Sequence, residues 1–251
     1  ELGLDPALAA DYDAILLSNG EFFGKHGDRL LVLNGVDTST NNHDGGSRSI
    51  WSGRLTVGYP AFGALVAAVR RREAPMTFLS GGGFDATENL IPLTRVRNAN
   101  ALRRVARPDM VDPSNPESAR YHTAATLQRI RDARSARWAA MMDKAKLPRT
   151  RRALAALQLA RSSDDVLQTL EIPEEPAQIV GGQLDDLERM MQQTELAISA
   201  FRSGLAVAAS VSLGGFDTHA NHDRDQRRQQ AKLLAGIDHV WEEAGRAGLQ
   251  D

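Results

Sequence analysis

The sequence predicts an α/β protein with a mainly parallel sheet and a helical insertion, and three observations predict it. Short apolar runs recur at "RLLVLNGV", "APMTFLSGGGF" and "LAVAASVSL", each of a length suited to a strand buried on both faces. Each runs into a polar or glycine-rich loop and then a helical stretch, the order of a parallel sheet with crossover helices. From about Thr94 to Arg202 the texture changes to amphipathic segments rich in alanine and arginine, with no convincing strand. Residues 1–93 therefore read as the first part of an α/β core, 94–203 as a helical insertion and 204–251 as the second part of the core.

The elements follow in order. "LDPALAADYDAILLSNGEFF" opens with Asp5-Pro6, an acidic cap followed by proline at the first helical position. Leu8, Tyr12, Ile15 and Leu16 supply one apolar face, and Asn19-Gly20 marks the expected stop. "RLLVLNGV" is the first expected strand, and "PAFGALVAAVRRR" reads as a helix. "APMTFLSGGGFDAT" repeats the step from strand to glycine-rich turn. In the insertion, "ATLQRIRDARSARWAAMMDKAKL", "RTRRALAALQLARSS" and "LDDLERMMQQTELAISAFRSG" read as helices, the last ended by Gly204, with "IPEEPAQIVGG" a loop. "LAVAASVSL" restores the strand pattern and "DRDQRRQQAKLLAGIDHVWEEAGRAG" closes the chain as a long helix. A helix there would ordinarily feed another strand, so the fold is expected to be incomplete at both ends.

Composition narrows the function. Hydrophobic residues at 42% and charged residues at 25% are those of a soluble globular protein. Thirty basic against 32 acidic residues give no global pull toward nucleic acid or an anionic membrane. The absence of cysteine excludes disulfides, thiolate metal sites and a cysteine nucleophile. No apolar run approaches the roughly 20 residues of a membrane span, and "ELGLDPALAADYD" has neither the basic start nor the apolar core of a signal peptide. Residues 128–161 carry ten Lys or Arg against two acids, and 164–195 nine acids against one Arg. That asymmetry reads either as a basic face for an anionic partner or as two solvated faces that neutralise one another. No aromatic platform accompanies the arginines, so no nucleic-acid partner is expected.

Three loops could carry chemistry, and in an open α/β sheet all three lie where ligands bind, beyond the carboxyl ends of strands. In "GGFDTHANHD", Asp217 and His219 are two apart and share one side of an extended backbone. A carboxylate and an imidazole there can bind zinc, manganese or a similar divalent ion. His222 and Asp223 either join that set or cap the helix that follows; the whole stretch equally suits a helix-capping turn. In "NGVDTSTNNHDGGSRSIWSG", residues 34–44 alone offer three hydroxyls, three carboxamides, His43 and two Asp directly after a strand. It reads as a nucleophile-bearing or anion-binding loop, or as a turn that satisfies its own backbone. "SGGGFDATENL" lacks the spacing of a dinucleotide fingerprint, and Asp85 and Glu88 are its polar candidates. His26, His122 and His239 stand alone and read as structural or surface residues.

"RLLVLNGVDTSTNNHDGGSRSIWSG" and "SLGGFDTHANHD" together resemble the bacterial family called domain of unknown function 1501, which is similar to the alkaline phosphatase and sulfatase superfamily. His43, Trp51 with Gly53, and Gly214 through His219 carry the resemblance. It implies a three-layer α/β/α sandwich and a divalent-metal site (zinc, manganese, magnesium or calcium) at the carboxyl edge of the sheet. It implies a metal-dependent hydrolase of a small phosphate or sulfate ester, with Ser39 or Thr40 as the attacking hydroxyl and His43 a neighbour in the same loop. Asp217 and His219, with His222 beside them, are the implied metal ligands. A periplasmic or otherwise exported location is also implied. The superfamily further uses an acid on a first strand and a late Asp-His pair; both are expected to lie outside this stretch, in a longer protein. The alternative reading is a non-catalytic exported binding or assembly protein that keeps the fold.

Overall fold

Asp5 caps the first helical turn, Pro6–Leu8, accepting a hydrogen bond from the Ala7 N–H at 3.0 Å. The computed structural model describes every residue except 71–73, 97, 162–171, 173–178 and 251. The loop expected at "IPEEPAQIVGG" lies largely outside the described residues. Helix α1 spans Ala9–Ile15 and α2 spans Asn19–His26. Asn19-Gly20 therefore starts a helix where a stop was expected. Ser18 and Glu21 form a capping box: the Ser18 hydroxyl accepts from the Glu21 N–H, and the Glu21 carboxylate accepts from the Ser18 N–H. Satisfying two orphan donors reciprocally outweighs the poor helix propensity of Asn and Gly.

Among the described residues the further helices are α3 (His43–Ser52), α4 (Phe62–Arg70), α5 (Ala99–Ala106), α6 (Ala124–Lys144), α7 (Pro148–Arg161), α8 (Asp185–Arg202) and α9 (His222–Arg246). Helix α8 ends in a Schellman motif. Leu205 N–H donates to Ala200 C=O and Gly204 N–H to Phe201 C=O, with Gly204 at φ +67° where a side chain would be strained. Leu205 and Ala200 are both fully buried, so the motif also aims the chain into the next strand.

Three strands, β1 (Phe78–Ser80), β2 (Leu93–Arg95) and β3 (Ala208–Ser210), form a parallel sheet in the order β2-β1-β3. Side chains alternate across it. Phe78 and Ala208 pack with Ala64 and Ala67 of α4 and with Ile91. Leu79 faces the other way, into a cluster with Leu102 and Ala106 of α5 and Leu196 and Ala200 of α8. Helices thus cover both faces, and the chain is an α/β protein with a parallel sheet. Helix α9 lies along α8, and α1 closes that pair through Tyr12 and Leu16 against Leu184, Leu187 and Ala235.

One expected strand is missing here. "RLLVLNGV" forms no strand: Leu31, Val32, Leu33 and Val36 are unpaired and 60% to 82% exposed. An apolar run becomes a strand only when ladder bonds and burial on both faces reward it, and this run has neither among the described residues. The third strand is instead Leu93–Arg95, from "IPLTR", where the run is too short and proline-broken to stand out. Helices α6 and α7 pair as a hairpin, with the Trp138 indole N–H donating to Leu154 C=O at 3.1 Å, yet α6 buries no residue. Among the described residues no helix is long and apolar enough to cross a membrane. Amide hydrogen exchange checks the placement of the first run. Amides of 31–36 should exchange at close to the unprotected rate, while those of 78–80 and 208–210 are slowed by orders of magnitude; equal protection would place 31–36 in the sheet.

Candidate functional site

Beyond β3 the chain leaves regular structure at Gly214-Gly215-Phe216, and side chains of α9 hold it there. Gln226 Nε2 donates to Phe216 C=O at 2.6 Å, and Gln229 Nε2 to Gly214 C=O at 2.7 Å. Gln229 also donates to Asp186 Oδ2 at 3.0 Å, and Lys232 Nζ donates to Asp186 Oδ1 at 2.6 Å and to Gln183 C=O at 3.1 Å. Gln229 and Lys232 are buried, so this network joins the start of α8, the body of α9 and the loop in a poorly solvated place. Gly215 is required there twice over: its φ is +87°, and a Cβ on it would overlap the Gln229 amide. Burial works to raise the Asp186 pKa, but hydrogen bonds from Lys232 and Gln229 outweigh it and hold the carboxyl below its ordinary range.

The loops after β1 and β3 meet at the carboxyl edge of the sheet. The Ser212 hydroxyl donates to Gly81 C=O at 3.2 Å and the Ser210 hydroxyl to Gly82 C=O at 3.1 Å. Asp85 is a clasp within this edge. It accepts a two-pronged bond from Arg95, at 2.8 and 2.7 Å, and another from the Ser80 hydroxyl at 2.7 Å. The Arg95 guanidinium holds its carboxyl below the ordinary value. Glu88 is exposed, at φ +47°.

The loop ahead of α3 reaches the same neighbourhood. Asn42 caps α3, its side chain accepting from Gly45 N–H at 2.7 Å, and Thr40 Oγ1 accepts from Asn42 Nδ2 at 2.9 Å. Ser39 sits at φ +54°, held by Asp37 Oδ1 accepting its N–H at 2.7 Å; a left-handed non-glycine residue costs roughly 1–2 kcal/mol. The turn sets His43 at the first position of α3, where its Nε2 lies 3.3 Å from Asp217 Oδ2. His219 Nε2 lies 3.2 Å from that same oxygen.

One carboxylate oxygen therefore serves two imidazoles from two separate loops. The side chains of His43, Asp217 and His219 are 83%, 56% and 88% exposed. Neither Ser39 nor Thr40 bonds to any of the three. His222 stays outside the cluster: its Nδ1 is 2.7 Å from Thr218 Oγ1, and the residue begins α9. Two nitrogens and a carboxylate oxygen are the donor kinds that suit zinc or manganese. As placed, they bond one another, and no group of three or more His, Cys, Asp or Glu side chains among the described residues is arranged to hold an ion. Of the other histidines, His26 bonds Asp238 at 2.6 Å, His122 bonds Asp109 at 2.6 Å, and His239 lies 3.4 Å from Glu195.

The residues that position the loop escaped sequence reading. Gln226, Gln229 and Lys232 sit three apart on one face of α9, a polar stripe facing inward that hydropathy alone reads as solvated. Lys232→Ala leaves a partly buried carboxylate without its cation and should cost about 3 kcal/mol in urea melts. The pH profile checks the same pair. A lowered folded-state pKa contributes stability that is full above the ordinary carboxylate range and is lost as pH falls below about 4. Asp186→Asn should flatten the fall between neutral and acid pH relative to the native chain; an unchanged profile would show that the pair does not hold the loop.

The family model described as "Protein of unknown function (DUF1501)" matches residues 18–251. No curated protein and no solved structure matches the chain. The match takes in both loops that supply the His43–Asp217–His219 cluster and the helices that hold them. The chain belongs to the domain of unknown function 1501 family.

Proposed function

We propose that the chain is a metal-dependent hydrolase-like protein of the alkaline phosphatase and sulfatase type, exported to the periplasm, acting on a small phosphate or sulfate ester. The observation that carries the reading is the approach of His43 and His219 to one oxygen of Asp217 from two loops at 3.3 and 3.2 Å. These three side chains, turned from one another toward a common point, would hold a divalent cation; such an ion would supply a lowered pKa for an attacking hydroxyl and positive charge beside the phosphate or sulfate group. Ser39 supplies that hydroxyl in this reading. Its left-handed backbone is the strained geometry that recurs at reactive residues, and it sits one turn of chain ahead of His43. Thr40 Oγ1 already accepts from the side chain of Asn42, the cap of α3, so it ranks behind Ser39 as nucleophile. His43, at the start of α3, places an imidazole where helix N–H groups favour an anion.

A second reading, a binding or assembly protein that retains the fold without turnover, draws support from the openness of the cluster. With two imidazoles more than four-fifths exposed, water is not excluded from the reacting centre.

Loading the full chain with zinc or manganese and assaying aryl phosphate and aryl sulfate separates the two. The hydrolase reading expects bound metal and turnover, with Asp217→Ala and His219→Ala losing the metal and at least about 100-fold in rate. Stability should change by less than about 0.5 kcal/mol, since both side chains are exposed. No bound ion and no turnover after loading would remove the enzyme reading.

A further inference from the structure

We infer that the cavity between the loop at 107–121 and α6 binds a small phosphate ester that also carries a hydroxyl group. The loop folds back on itself through an antiparallel bridge between Met110 and Arg120, with Val111 N–H donating to Ala119 C=O and Tyr121 N–H to Asp109 C=O, both at 2.9 Å. Helix α6 presents Leu127, Arg131 and Arg134 to it, three positions on one face. The space between has a volume of about 270 Å³, a little under the usual range of pockets for drug-sized ligands and suited to a small one.

Its lining sets the ligand's chemistry. Arg107, Arg120, Arg131 and Arg134 border the cavity, with Asp109 the one carboxylate in its lining. Arg131 and Arg134 have further interactions of their own. Arg107 gives one N–H to Pro113 C=O at 3.1 Å, and neither Arg107 nor Arg120 meets a carboxylate among the described residues. Their remaining N–H groups form planar forks, and a phosphate, with three terminal oxygens, can meet two such forks at once where a carboxylate, with two oxygens, meets one.

Asp109 supplies the second requirement. It is 8% exposed; its Oδ1 lies 2.6 Å from His122 Nδ1, and its Oδ2 is buried without a hydrogen-bond partner. A buried acceptor left unsatisfied costs about 1–3 kcal/mol. A phosphate dianion has no proton to offer it, whereas an alcohol on the same molecule does. Met110 and Leu127 give the carbon skeleton an apolar wall. Nothing in this reasoning uses the His43–Asp217–His219 cluster.

Calorimetric titration of the full chain in the presence of a chelator, with glucose 6-phosphate, inorganic phosphate and glucose as probes, tests the site apart from any metal. Glucose 6-phosphate should bind at least about tenfold more tightly than inorganic phosphate, and glucose not measurably. Arg107→Ala with Arg120→Ala should weaken the ester by tenfold or more, while Asp109→Asn should narrow its advantage over inorganic phosphate. If Asp109→Asn fails to fold, the arginine pair decides. No heat from glucose 6-phosphate at millimolar concentration overturns the inference. So does affinity unchanged by the arginine substitutions, or binding of polyanions such as heparin with none of the small ester.

Discussion

The buried contact between Lys232 and Asp186 is the constraint on which the rim depends. Asp186 lies in the first turn of α8, Lys232 lies mid-way along α9, and Gln229 extends the contact to the Gly214 carbonyl. A parallel sheet of three short strands, as formed among the described residues, cannot fix a long loop by ladder bonds alone. The loop bearing Asp217 and His219 takes its place from the two longest-packed helices instead. A buried pair of this kind adds little net stability, because desolvation offsets most of the Coulomb attraction. What it does supply is direction: a buried charge with one opposite charge within reach, and with its remaining bonds made to Gln183 and Gln229, favours one arrangement of loop on helix. Gly215 completes the arrangement, since any side chain there would displace Gln229.

Much of the secondary structure was legible because periodicity reports burial directly. Helices α8 and α9 and strands β1 and β3 follow from apolar spacing, and Gly204 marks a real helix end; α6 forms where expected yet buries no residue. The failures share a physical cause. "RLLVLNGV" has the composition of a buried strand, but composition cannot say whether a neighbour exists to pair with it, and here it stays exposed. Leu93–Arg95 becomes a strand because β1 offers it an edge, a fact invisible in three residues. Asn19-Gly20 reads as a stop until Ser18 and Glu21 are seen as a reciprocal pair, a signal that was present at the spacing of a capping box.

The candidate site divides in the same way. Asp217, His219 and His43 were visible as residue types able to bind protons or metal, in loops where α/β proteins place ligands. Their meeting at one carboxylate oxygen depends on two loops separated by more than 170 residues, and no local pattern encodes it. His222 illustrates the limit of spacing: it lies three residues from His219, yet the start of α9 and the Thr218 hydroxyl claim its ring. The arginine-lined cavity was hidden more deeply still. Its basic residues stood out as a lopsided charge block, but only the folded loop at 107–121 turns part of that block toward a buried carboxylate.

The central claim is that the loops of His43 and His219 share one rim through Asp217. The chain has no cysteine, so His43→Cys with His219→Cys introduces the only two thiols. Treatment with a short thiol-bridging reagent such as dibromobimane, followed by mass analysis of tryptic peptides, reads their proximity directly. The account predicts an intramolecular bridge joining positions 43 and 219, abolished by unfolding in urea before treatment. Two singly modified thiols and no bridged peptide from the folded protein would contradict it.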